Sequence, residues 1–183
     1  MQMGHDRDNG RDIQAFLAGI DGHAFRIAQF ATGNRDDALE LVQDAMMKLV
    51  HNYAGRSANE WKPLFYSVLQ SRIRDWQRRQ AVRNRFRGWF ARHEDDVEDA
   101  LEQYPADESW EPSACLQNDQ FMTHLDQALS ALPYRQQQVF LLRVWEGLDI
   151  AQTAAAMQCS ESSVKTHHAR ALEKLRAQLE EFR

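Results

Sequence analysis

Six side chains within one short stretch, Ser162, Ser163, Lys165, Thr166, His167 and Arg170, are donors suited to phosphate oxygens and base edges. They stand at the positions a recognition helix presents to a major groove. Glu161 precedes them, where a helix dipole favours an acid and where an acceptor can meet a cytosine amine. A second concentration of donors lies upstream. Residues 72–92 hold eight Arg against one acid, Asp75, a density suited to a polyanionic strand.

Bond-making chemistry has no comparable set. The seven His are scattered, and the adjacent His167 and His168 face different directions on a helix, which argues against a shared metal. Cys115 and Cys159 lie far apart in no metal-type spacing, and Cys159 fits a small core position in a turn. No glycine-rich phosphate loop occurs. The expectation is a protein without catalytic residues, metal, cofactor or small-molecule substrate.

The donors need helices to hold them. Around the first set, Asp149 and Ser160 are placed to cap two short helices joined by a three-residue turn. Small Ala154 lets those helices cross closely, and Ile150, Met157, Val164 and Leu175 supply a shared core. Helical periodicity over 119–131, 134–146, 150–157 and 161–181 completes this unit, with Pro133 opening its second helix and Gly147 closing it.

Upstream, Ile13, Phe16, Leu17, Ile20, Ala24, Ile27, Ala28 and Ala31 draw one stripe, weakened at Gly19 and Gly22. Thr32-Gly33-Asn34 stops that helix, and Asn34 or Asp36 caps the next, whose inward face is read as Leu39, Val42, Met46, Leu49 and Val50. Residues 51–60 lose periodicity and read as a loop. A third helix is expected over about 61–80, with Trp61, Leu64, Phe65, Val68, Leu69, Ile73 and Trp76 inward and Pro63 in its first turn.

Between the two units, 94–119 carries ten acids and no Lys or Arg, with Pro105 and Pro112, so an extended, self-repelling linker is expected over 93–118. No period-two alternation is present. The fold class is therefore all-α, two small helical domains over 10–92 and 119–183 joined by an acidic linker. Neither a signal peptide nor a membrane helix is expected, and a reduced, cytoplasmic setting follows.

The string ALPYRQQQVFLLRVWEGLDIAQTAAAMQCSESSVKTHHARALEKLRAQL resembles region 4 of bacterial RNA polymerase sigma factors of the extracytoplasmic-function type. Thr32-Gly33-Asn34-Arg35 followed by Leu41-Val42-Gln43-Asp44 is similar to regions 2.1 to 2.2. Trp61 to Arg79, with Tyr66, Asp75, Arg78 and Arg79, is similar to regions 2.3 and 2.4. The sequence departs from the usual pattern at Gln158, where a turn Gly is customary, and at Leu64, Ser71, Arg72, His167 and His168, so promoter preference does not transfer.

The resemblance implies a promoter-specificity subunit. Asp37, Glu40, Gln43 and Asp44 would dock on the clamp coiled coil of the polymerase largest subunit. Asn52, Tyr53, Asn59 and Trp61 would wall or read a pocket for an unstacked base of the −10 element, while Arg72, Arg78 and Arg79 take phosphates. Helical spacing favours Trp61 as a core residue over a stacker. Ser162 to Arg170 would read the −35 duplex. The linker, with Asp95, Asp96, Glu98 and Asp99, would thread a basic polymerase channel, or serve as a soluble tether. An anti-sigma partner is implied too. Two other readings remain open at this point: a helix-turn-helix regulator that is no polymerase subunit, and a helical interaction adaptor.

Overall fold

The computed structural model describes residues 5–89 and 119–180, which are helical apart from short turns; the acidic segment 93–118 lies outside the described residues. Helix α1 (His5–Thr32) buries Ile13, Ile20, Ala24, Ile27, Ala28 and Ala31 along the stripe expected from spacing. It runs unbroken through Gly19 and Gly22, which face open space. Core burial along the stripe outweighs the roughly 1 kcal/mol that each glycine costs a helix. Gly33, at φ +65°, ends α1, and its amide reaches the Gln29 carbonyl.

Helix α2 (Arg35–Tyr53) starts at Asn34, whose side-chain oxygen accepts the amides of Asp36 and Asp37 at 2.9 and 3.0 Å. Its inward face is Ala38, Leu41, Val42, Ala45 and Leu49, so the expected face was turned too far. Leu39 and Val50 lie outside, because the small Ala38 and Ala45 let α2 lie close to its neighbours and take the central positions.

The expected ten-residue loop is a four-residue turn, 54–57. Asn52 and Tyr53 complete α2, and helix α3 (Ala58–Trp89) begins three residues before Trp61, with the Glu60 carboxylate accepting the Ser57 amide. Pro63 therefore falls in the second turn rather than the first, and leaves the Asn59 carbonyl without its helical donor. Helix α3 buries Trp61, Phe65, Val68, Leu69, Ile73 and Trp76 as expected. It also buries Tyr66, Gln70 and Gln77, so more than one of its faces is covered.

Helices α4 (Asp119–Ser130), α5 (Tyr134–Phe140), α6 (Ile150–Met157) and α7 (Glu161–Gln178) form the second unit. The expected helix over 134–146 is α in its first half only. Leu141–Trp145 widen into a π turn that closes with the Glu146 amide on the Leu141 carbonyl. Gly147 at φ +66° then reverses the chain toward α6. The two units pack directly on each other: α6 lies along α3, and α5 touches α1.

Candidate nucleic-acid interface

Helix α6, the turn and α7 form a tightly tied motif. Asp149 and Gln152 make a capping box, with the Gln152 amide on Asp149 Oδ1 at 2.7 Å and the Asp149 amide on Gln152 Oε1 at 3.0 Å. The turn closes through Gln158, which adopts left-handed φ +52°, ψ +50°, while the Cys159 amide reaches the Ala154 carbonyl at 3.0 Å. Ser160 caps α7 by accepting the Ser163 amide at 3.1 Å. Ala154, Met157, Val164, Ala171 and Leu175 are buried beneath, and Ile150 is half-buried.

This frame sets out the predicted donors unequally. Ser162, Lys165, Thr166 and Arg170 are exposed on one face at spacings of three and four. Ser163 is half-buried, its hydroxyl 2.8 Å from that of Ser160, and Thr166 Oγ1 donates to the Ser162 carbonyl at 3.0 Å. The cations Lys165 and Arg170 are thus the projecting groups, and Lys174 extends the same row by one turn. Sequence reasoning stopped at Arg170, although the step of four residues was there to follow. His167 and His168 are half-buried at the edge. Burial, with Arg143 nearby, holds the His168 imidazole below its usual pKa, which favours a neutral ring.

In the first unit Asn52, Tyr53, Asn59 and Trp61 gather around the turn between α2 and α3. Asn52 and Asn59 are exposed and Tyr53 is half-buried. Trp61 is 1% exposed, its Nε1 donating to the Tyr53 carbonyl at 3.1 Å and its ring against Phe16 at 5.8 Å between centroids. That corrects its candidacy as a base stacker: no ring face is open, and the indole instead pins the turn. Arg78 and Arg79 are exposed and Arg72 is half-buried. They follow Trp61 along α3, with Arg78 about 25 Å farther along the axis at 1.5 Å per residue. The turn and the Arg78-Arg79 pair are therefore separated by most of the helix between them.

Glu40, Gln43 and Asp44 are exposed on α2, with Asp37 half-buried. The structure adds Leu39, Met47 and Val50 to the same outer surface, Met47 being 71% exposed. An acidic and amide face interleaved with apolar side chains is better suited to a protein partner than an all-polar one. Asp37 and Glu40 also share one open groove with Trp76, Arg78, Arg79 and Val82, so the two sets of residues assigned separately from sequence are neighbours. Among the described residues no three His, Cys, Asp or Glu side chains gather closely enough to hold a metal ion, and no helix is long and apolar enough to cross a membrane.

The model of the family "Sigma-70, region 4" matches residues 123–175. The chain is 32% identical over 149 residues to the ECF RNA polymerase sigma factor SigX of Bacillus subtilis (strain 168), an alignment covering 81% of this chain and 72% of that one. It is 30% identical over 150 residues to an RNA polymerase sigma-E factor of Streptomyces avermitilis, covering 79% and 72%. In fold it is similar to the sigma factor RpoE, solved in complex with the anti-sigma factor NepR from Bartonella quintana, with TM-score 0.63, 21% identity, and 95% and 98% of the two chains covered.

Proposed function

The chain belongs to the extracytoplasmic-function family of RNA polymerase sigma factors, and from that premise we propose how its parts divide the work. As a sigma factor it binds core RNA polymerase and directs initiation at promoters, a regulatory role carrying no catalytic step of its own. The unit over 10–92 serves polymerase docking and the −10 element, and that over 119–183 serves the −35 element. A cytoplasmic place of work, beside the polymerase, belongs to the same reading.

One observation carries the assignment of the −35 element: the capped α6–turn–α7 motif sets Ser162, Lys165, Thr166 and Arg170 on one open face. Docking falls to Glu40, Gln43 and Asp44 with Leu39 and Met47 beside them. The turn bearing Asn52, Tyr53 and Asn59 takes an unstacked base, with Trp61 beneath it as support. Arg72, Arg78 and Arg79 hold the strand's phosphates. The likeness to a sigma factor solved with an anti-sigma factor supports a partner of that kind for this chain.

Run-off transcription with purified core polymerase on a library of genomic fragments tests the reading. Specific start sites are expected from the parent, and loss of upstream-element protection from Lys165→Ala with Arg170→Ala. Replacing Gln43 and Asp44 with Ala is expected to weaken binding to core enzyme with the helical spectrum unchanged. Unaltered affinity sinks the docking assignment.

A further inference from the structure

The open face of α7 is chemically less uniform than its residue types suggest. Thr166 Oγ1 donates to the Ser162 carbonyl, one turn back, at 3.0 Å, so its hydroxyl hydrogen is spent on its own helix. Ser160, Ser162 and Ser163 keep their hydroxyls together in the same way, Ser160 Oγ lying 2.8 Å from each of the other two. Beyond the helix, Thr166 therefore presents a γ-methyl and an oxygen that can only accept.

That methyl has a neighbour of its own kind. Lys165, Thr166, Ala169 and Arg170 are exposed, while His167 and His168 between them are half-buried. Residues three apart on a helix have Cβ atoms about 5–6 Å from each other, which sets the Ala169 methyl beside that of Thr166. Lys165 lies one turn before Ala169, and Arg170 one turn after Thr166. The face is thus two methyls held between two cations.

Cations meet phosphates and the acceptor atoms of more than one base, so they position a helix better than they choose a sequence. In the major groove thymine alone among the four bases carries a C5-methyl, and apolar contact from an Ala or Thr methyl is what distinguishes it. We infer that Thr166, with Ala169 beside it, is a specificity-determining residue that reads the C5-methyl of one thymine in the −35 duplex. The inference rests on the reading that α7 enters that duplex, and it replaces the role of Thr166 as a hydrogen-bond donor. Lys165 and Arg170 keep the helix in register over the base pair.

Uracil tests it, since uracil keeps the pairing and the O4 acceptor of thymine and lacks only the methyl. Holoenzyme made with the parent chain is titrated with duplexes of a promoter found by run-off transcription, each thymine of the upstream element being replaced in turn by deoxyuridine. Replacement at one position is expected to weaken binding about fourfold, the worth of one methyl group removed from water. Thr166→Ser keeps the hydroxyl and loses the methyl, and is expected to bind the thymine and uracil duplexes alike. Thr166→Val keeps the methyl and loses the hydroxyl, and is expected to preserve the discrimination.

A parent indifferent to uracil at every position overturns the inference. So does discrimination kept by serine, whether valine keeps it or loses it, because the methyl of Thr166 is then not the reader. The response of the parent needs no variant, so misfolding of either one leaves the inference open to refutation. Upstream-element protection by Lys165→Ala with Arg170→Ala is scored separately. Protection lost there, with uracil without effect on the parent, removes the methyl contact alone; protection unchanged removes the −35 assignment of α7 itself.

Discussion

Replacing Gln158 with glycine is expected to stabilise the protein, although it removes a side chain. Among the described residues Gln158 is the non-glycine residue at positive φ, +52°, where its Cβ crowds the following carbonyl. That conformation costs an L-residue about 1–2 kcal/mol, and glycine avoids it. Against this, the freer unfolded chain of the glycine variant recovers roughly 0.4–1 kcal/mol. The side chain is exposed, so no packing is lost, and the Gln158 amide keeps the Ala154 and Ala155 carbonyls. The balance is a gain of about 0.5–1 kcal/mol, or roughly 1–4 °C in melting temperature for a chain of this size. Gln158→Val, branched at Cβ in the same conformation, is expected to melt below the parent. Thermal denaturation followed by circular dichroism reads both. A glycine variant no more stable than the parent, with valine tolerated equally, refutes the strain argument and with it the placing of α7 by a left-handed turn.

Asp149→Ala removes the side-chain acceptor of the Gln152 amide while keeping the backbone amide that Gln152 Oε1 accepts, and is expected to cost about 1 kcal/mol of stability, with Asp149→Ser losing less, in chemical denaturation. Within holoenzyme, Lys165→Ala and Arg170→Ala are each expected to lower −35 affinity on all sequences alike. Each is also expected to reduce the slope of log affinity against log salt by about 0.9, wherever the cation meets a phosphate. Burial and Arg143 hold the His168 imidazole down, so the unfolded chain takes up a proton first as the pH falls. Stability is then expected to decline as the pH drops below the ordinary imidazole value toward the folded one, and His168→Gln is expected to flatten that decline in urea titrations at stepped pH.

Much of this arrangement is legible in the sequence because its signals are local. Asn34, Asp149 and Ser160 cap helices with the amides of residues two or three positions on, and the stripe of α1 repeats every three or four residues. Ser57 and Glu60 carry a capping signal of the same kind, which shows the turn after α2 to be shorter than its loss of periodicity suggests. The face of α2 departs from its apolar spacing for a different reason: hydrophobicity ranks Leu39 and Val50 above Ala38 and Ala45, whereas close helix packing selects the small residues for the centre. For Trp61 the helical spacing already favours the core, and its burial follows that local signal rather than the role the resemblance implies. The contact between the two units is less legible. His23 and Glu146 are 123 positions apart, and Gln70 and Gln138, polar in type, are buried where two helices close on them. The π turn that precedes Glu146 has no pattern of its own to announce it.

These placements bear on why the factor's affinity for DNA has to be conditional. A subunit that chooses promoters meets a great excess of non-specific duplex, and each unpaired cation on its surface raises affinity for all of it equally. The chain has a net charge of −5, and 120–183 balances seven Lys and Arg against seven Asp and Glu. Arg26, Lys62 and Arg74 are in addition taken up by Asp126, Glu146 and the Ala156 carbonyl. Internal pairing of this kind lowers the chain's attraction for any duplex without deleting the cations. The outer face of α2, with Gln43 and Met47, is exposed in the free chain and open to a partner before any DNA is bound. A salt slope measured on the free chain is therefore expected to be shallower than one measured on the holoenzyme.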